Sequence, residues 1–88
     1  MDSADTYIFD RITVNPARCN GRPTIRGTRL TVSNILDFLG AGDSVDDMLD
    51  EYPQLEREDV LACIRFALAT VREKYDPQPT ILPQPMIL

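Results

Sequence analysis

Arg18, Arg22, Arg26 and Arg29 crowd into the run Arg18-Cys19-Asn20-Gly21-Arg22-Pro23-Thr24-Ile25-Arg26-Gly27-Thr28-Arg29. A guanidinium stays charged at neutral pH and offers a planar fork of donors that fits phosphate oxygens. With the Thr28 hydroxyl beside them, these residues read as a contact to a nucleic-acid backbone. The competing reading is ordinary surface charge, solvated or paired with Asp10 and Asp37, which is how most such clusters behave. Presenting the arginines together requires a particular local shape. Thr24-Ile25 and Leu30-Thr31-Val32 favour strands, and Gly27 accepts the positive φ of a tight turn, so the segment reads as a basic β-hairpin with Arg26 and Arg29 outward.

The net charge of −5 opposes phosphate binding, but its distribution does not. Residues 1–31 carry five arginines against three aspartates, whereas residues 32–88 carry four basic against eleven acidic side chains, giving +2 and −7. A basic end can face DNA while acidic helices face solvent or a basic partner. Chemistry other than binding finds little material. There is no histidine, and Cys19 and Cys63 are the two cysteines, so no zinc constellation, CxxC pair or acid–base–nucleophile set is recognisable. The expectation is a protein that is not an enzyme and uses no cofactor or metal. Cys63, with Arg65 as the sole nearby cation in sequence, reads as a small packing residue. No apolar run reaches the roughly 18 residues of a membrane span, and the acidic start Met1-Asp2-Ser3-Ala4-Asp5 is unlike a signal peptide, so a cytoplasmic location without membrane contact is expected.

The elements that must position these residues follow from periodicity. Residues 1–6 are expected to fray, and Tyr7-Ile8-Phe9 and Arg11-Ile12-Thr13-Val14 are β-rich, with Pro16 ending the second run. Val32, Ile35, Leu36 and Leu39 take helical spacing and Gly40 supplies a stop, giving a helix over Ser33–Leu39. Ser44 with Asp47 resembles a capping box opening a helix over Val45–Glu51, which Pro53 terminates. A third helix spans Arg57–Tyr75, with Val60, Leu61, Ile64, Ala67, Leu68, Val71 and Tyr75 as its core face. The fold class is mainly α: an N-terminal β-strand or hairpin followed by a three-helix, homeodomain-like helix-turn-helix domain over residues 1–75.

Two consequences bear on function. The start of the third helix, Glu56-Arg57-Glu58-Asp59, suits the positive end of a helix dipole but repels phosphate, so the hairpin is the better DNA contact. Phe66 falls nearly opposite the expected core stripe, among Ala62, Cys63 and Ala69. This second apolar face reads as a homodimer contact through Ala62, Phe66 and Ala69; cover by the N-terminal strands is the alternative. A small domain buries only about 60% of its unfolded surface, which makes an oligomeric partner useful.

The Gly27-Thr28-Arg29 triplet, the Gly40-Ala41-Gly42-Asp43-Ser44 turn and Glu51-Tyr52-Pro53-Gln54-Leu55 together resemble the short prokaryotic family called domain of unknown function 433. The likeness runs from about Ile12 to Ala69. It departs where members usually have Asp-Pro in place of Asn15-Pro16, and a small hydroxyl residue in place of Glu56. The resemblance implies an antitoxin that binds operator DNA and neutralises a PIN-like ribonuclease toxin. Such antitoxins commonly block the toxin's acidic site with a basic side chain, which points to Arg72 or Lys74. The segment 76–88 lies beyond the likeness and reads as a Pro-rich apolar tail. Its Ile81, Leu82, Met86, Ile87 and Leu88 want either a partner's groove or the protein's own core. A protein-interaction module that never touches nucleic acid is the alternative function.

Overall fold

The structure is a computed structural model and describes residues 5–76. Three short strands, β1 (Thr6–Phe9), β2 (Ile12–Val14) and β3 (Thr24–Ile25), form an antiparallel sheet in the order β1-β2-β3. Helices α1 (Val32–Gly40), α2 (Val45–Glu51) and α3 (Arg57–Tyr75) follow. The sheet-plus-three-helix layout, α2 and α3 match the expectation, and α1 is one residue longer at each end.

Asp10 and Arg11 connect β1 to β2, where Phe9 pairs with Ile12 and Tyr7 with Thr13, leaving Ile8 as a bulge. Arg11 sits in the left-handed region at φ 61°, a conformation that few non-glycine residues take. The basic hairpin is only half formed. Gly27 does turn the chain at φ 72°, and the Ile25 N–H donates to the Leu30 carbonyl at 2.9 Å. The second arm, however, shrinks to one bridge between Thr24 and Thr31. Thr31 is needed elsewhere: its hydroxyl accepts the Asn34 N–H at 3.0 Å and caps α1, so Val32 opens a helix instead of extending a strand.

Ser44 and Asp47 close the capping box of α2 from both sides. Glu56, a poor cap by type, does not delay α3. Asp59, at the third helical position, reaches back and accepts the Glu56 N–H at 2.8 Å, so the helix starts at Arg57.

The core gathers Ile12, Ile25, Val32, Ile35, Met48, Leu55, Val60, Ala62 and Cys63. Helix α3 therefore faces inward with a side rotated away from the one expected: Val60 is buried as expected and Leu61 and Ala67 are half-buried, but the rest of that face is not in the core. Ala62 and Cys63 are fully buried, and Phe66 is half-buried and packs edge-on against Phe9 with ring centres 5.4 Å apart. Ile64, Leu68, Val71 and Tyr75, expected in the core, are 42, 45, 48 and 69% exposed. The reason is steric: the small Ala62 and Cys63 suit the contact of α3 with α1 and α2, which the branched side chains of the other face would hinder. Phe66 is thus covered by the N-terminal strands, and Ala62 and Phe66 belong to the protein's own interior. Ala69 is exposed.

Candidate nucleic-acid and partner-binding surfaces

The arginines near Gly27 do not form a common free patch. Arg26 turns toward the start of α3, its guanidinium 3.3 Å from Glu56 and 3.7 Å from Asp59. Arg18 donates to Asp5 at 2.9 Å. Thr28 is spent on its own turn, donating to the Ile25 carbonyl at 2.8 Å and accepting the Leu30 N–H at 3.0 Å. Arg22 and Arg29 remain exposed, with no ion pair among the described residues. They occupy neighbouring loops. Arg22 follows a 3-10 turn at Cys19–Gly21, and the Cys19 thiol lies 3.5 Å from the Arg29 carbonyl oxygen.

Arg11 was missed as a key residue by sequence reasoning. From the β1–β2 turn its guanidinium donates to Glu56 at 2.7 Å and to Asp59 at 3.0 Å. These two hydrogen bonds, Glu56's the larger, hold its pKa above the ordinary arginine value. The backbone joins the same cluster, because the Arg26 N–H donates to the Arg11 carbonyl at 3.0 Å. Arg11, Arg26, Glu56 and Asp59 therefore clamp the sheet and the Gly27 turn to the start of α3. A signal was available in the opposed charges of Arg11 and the Glu56–Asp59 run, but nothing in sequence spacing pairs residues so far apart.

The clamp also decides what the start of α3 can do. Glu56 and Asp59 are occupied by arginines, Arg57 pairs with Asp46, and Glu58 lies 3.8 Å from Arg65. Among the described residues this end of the helix has no unpaired cation to offer a phosphate. Farther along, Arg65 bonds Asp10 at 3.2 Å. At the C-terminal end Arg72 and Lys74 are exposed and make no ion pair among the described residues; the Lys74 ammonium lies 5.5 Å from the Tyr75 ring centre. Ile81, Leu82, Met86, Ile87 and Leu88 lie outside the described residues.

Two of the clefts among the described residues differ in character. One, about 270 Å³, is walled by Phe38, Met48 and Tyr52 and rimmed by Asp43, Asp47 and Glu51, a charge that repels nucleic acid. The other, about 290 Å³, runs between α1 and α3 and is lined by apolar Pro23, Val32, Leu36, Phe66, Ala67 and Val71 with Ser33 and Thr70. Among the described residues no group of three or more His, Cys, Asp or Glu side chains can hold a metal, and no helix is long and apolar enough to cross a membrane. Burial, reinforced by the Asp59 charge, pushes the Cys63 thiol up to about 12.

Residues 12–67 match the family model described as "Protein of unknown function (DUF433)". The chain is 37% identical over 58 residues to the uncharacterized protein y4eO of Sinorhizobium fredii strain NBRC 101917 / NGR234, covering 66% of this chain and 26% of the relative. The crystal structure of a DUF433 member from Anabaena variabilis ATCC 29413, at 2.00 Å resolution, superposes with a TM-score of 0.66 at 27% identity. That match covers 72% of this chain and 62% of the other, so this chain spans about a quarter of the first relative and under two thirds of the second.

Proposed function

This chain belongs to the DUF433 family, and we propose that it acts by binding alone, as the antitoxin of a toxin–antitoxin pair. It contacts operator DNA through Arg22 and Arg29 and holds a PIN-like ribonuclease through the C-terminal end of α3, with Arg72 or Lys74 entering the toxin's acidic site. The apolar residues Ile81, Leu82, Met86, Ile87 and Leu88 extend that second contact.

The sorting of the nine cations carries this reading. Arg11, Arg18, Arg26, Arg57 and Arg65 are tied to carboxylates and serve the fold, while Arg22 and Arg29 stay available on adjacent loops and Arg72 and Lys74 at the end of α3. Cations with no ion pair among the described residues, on a chain of net charge −5, suit anionic partners at two separate places. Cys63 gives a catalytic role no support, being buried with its pKa pushed up to about 12.

Operator binding measured across a salt series tests the DNA contact. Arg22→Ala and Arg29→Ala should each flatten the dependence of log affinity on log salt by about 0.9, the share of one phosphate on B-DNA. Arg26→Ala, whose side chain is held by Glu56 and Asp59, should change the slope little at matched folding. If Arg22→Ala and Arg29→Ala bind like the unmodified chain while Glu58→Gln loses affinity, the start of α3 is the contact. If the unmodified chain binds no DNA even at low salt, the protein-interaction module takes its place; the exposed apolar side of α3 favours that second reading.

A further inference from the structure

Six large apolar side chains are exposed among the described residues, and four of them, Ile64, Leu68, Val71 and Tyr75, lie on one side of α3. Half-buried Leu61 continues the line. Positions 61, 64, 68, 71 and 75 are separated by three, four, three and four residues, the alternation of a two-helix seam. The stripe is narrow and straight, which suits a helix better than an extended peptide or a flat sheet. We infer that it is the contact between two copies of this chain, with the α3 helices antiparallel and crossing at Leu68.

The spacing is self-complementary about that residue. In an antiparallel pair Leu68 meets Leu68 of the second copy, Ile64 meets Val71, and Leu61 meets Tyr75. The most exposed member, Tyr75, thereby lands on the most recessed, Leu61.

Charge selects the same arrangement. Arg65 flanks the seam together with Asp10 at 3.2 Å and Glu58 at 3.8 Å, a cluster of one cation and two carboxylates. Arg72 lies one turn beyond Leu68 and Arg65 nearly one turn before it, so antiparallel pairing brings the second copy's Arg72 beside this net-negative cluster. Parallel pairing would instead place Arg72 and Lys74 beside Glu73 and Asp76 of both copies, an end of no net charge, and would leave the Asp10–Arg65–Glu58 cluster without a second cation. The seam from Leu61 to Tyr75 spans about 21 Å. One helix pair of that length buries less than the roughly 800 Å² per partner of stable complexes, so the dimer is weak and concentration-dependent. The seam shares Arg72 and the C-terminal end of α3 with the toxin contact, but its test reads mass and cross-linking of this chain alone, so its failure is distinguishable from failure of the DNA and toxin assignments.

Sedimentation of the full chain from micromolar to millimolar concentration should show reversible dimerisation. Leu68→Asp should weaken it more than about tenfold, the scale of losing one buried leucine contact, and Ala69→Asp, off the seam, should not. Should Leu68→Asp lose its fold by circular dichroism, Arg72→Glu, an exposed position, must weaken dimerisation instead. In a Cys19→Ser background, Leu68→Cys should oxidise to a disulfide dimer. Ile64→Cys and Val71→Cys should cross-link with each other but not with themselves; buried Cys63 supplies no competing thiol. A monomer at millimolar concentration, as when residues 77–88 or another protein cover the seam, overturns the inference. So does dimerisation that neither Leu68→Asp nor Arg72→Glu alters, or self-cross-linking of Ile64→Cys and of Val71→Cys.

Discussion

Arg11 and Asp59, 48 positions apart in sequence, are joined at 3.0 Å. Asp59 is almost fully buried and acts twice, accepting the Glu56 N–H with one oxygen and Arg11 with the other. The same carboxylate thus starts α3 and fastens it to the β1–β2 turn. An acidic helix start that resembles a failed DNA-reading surface is, in this fold, the anchor for two arginines.

Removing that anchor should cost more than removing its exposed neighbour. Asp59→Ala loses a helix cap and leaves a half-buried Arg11 without one of its partners, a destabilisation of about 2–4 kcal/mol. Glu56→Gln, at an exposed position, should cost less than about 1 kcal/mol. Urea unfolding of both variants measures the difference, and equal losses would show that the buried carboxylate is dispensable.

The buried core and the exposed side of α3 make a second comparison. Ile35→Ala and Met48→Ala, both deleting buried side chains, should each cost about 2–5 kcal/mol. Leu68→Ala should cost less than about 1 kcal/mol when melted at concentrations where the chain is monomeric. A core-sized loss at Leu68 would restore the helix face suggested by periodicity.

Acid should weaken the fold through carboxylates held below their ordinary range. Hydrogen bonds from the Ser44 backbone and then its hydroxyl lower Asp47, and Asn15, with a smaller contribution from Arg18, lowers Asp5. In each case the folded value lies under the unfolded one, near 3.9 for aspartate, so the unfolded chain binds more protons in that window. The stabilisation is complete above the unfolded value and is lost as pH falls through the folded one. Melting temperature should therefore drop between about pH 5 and pH 2, and drop less steeply in Asp47→Asn.

The two thiols should differ in reactivity. Cys63, buried and pushed up to about 12, should resist alkylation in the native protein at mildly alkaline pH, while half-exposed Cys19 reacts. Mass spectrometry should find one adduct under native conditions and two in denaturant. Cys63→Ser should cost about 1–3 kcal/mol, the penalty of burying a hydroxyl.

The bounds of α2 and α3 are legible in the sequence because caps and breakers act locally: the Ser44–Asp47 box, Pro53 and the long run from Arg57 to Tyr75 need no distant partner to be recognised. The sequence also located the Gly27 turn, since only backbone freedom was at issue there. Tertiary structure decided which side of α3 faces inward. Both sides repeat at helical spacing, and Ile64, Leu68 and Val71 are the more apolar set, but burial follows how closely neighbouring elements can approach, and Ala62 and Cys63 permit the closer contact. Tertiary structure likewise decided the fate of the arginines. Charge counts at Arg18, Arg22, Arg26 and Arg29 are equal, and only the fold brings Asp5 to Arg18 and Glu56 to Arg26 while leaving Arg22 and Arg29 free of any ion pair among the described residues.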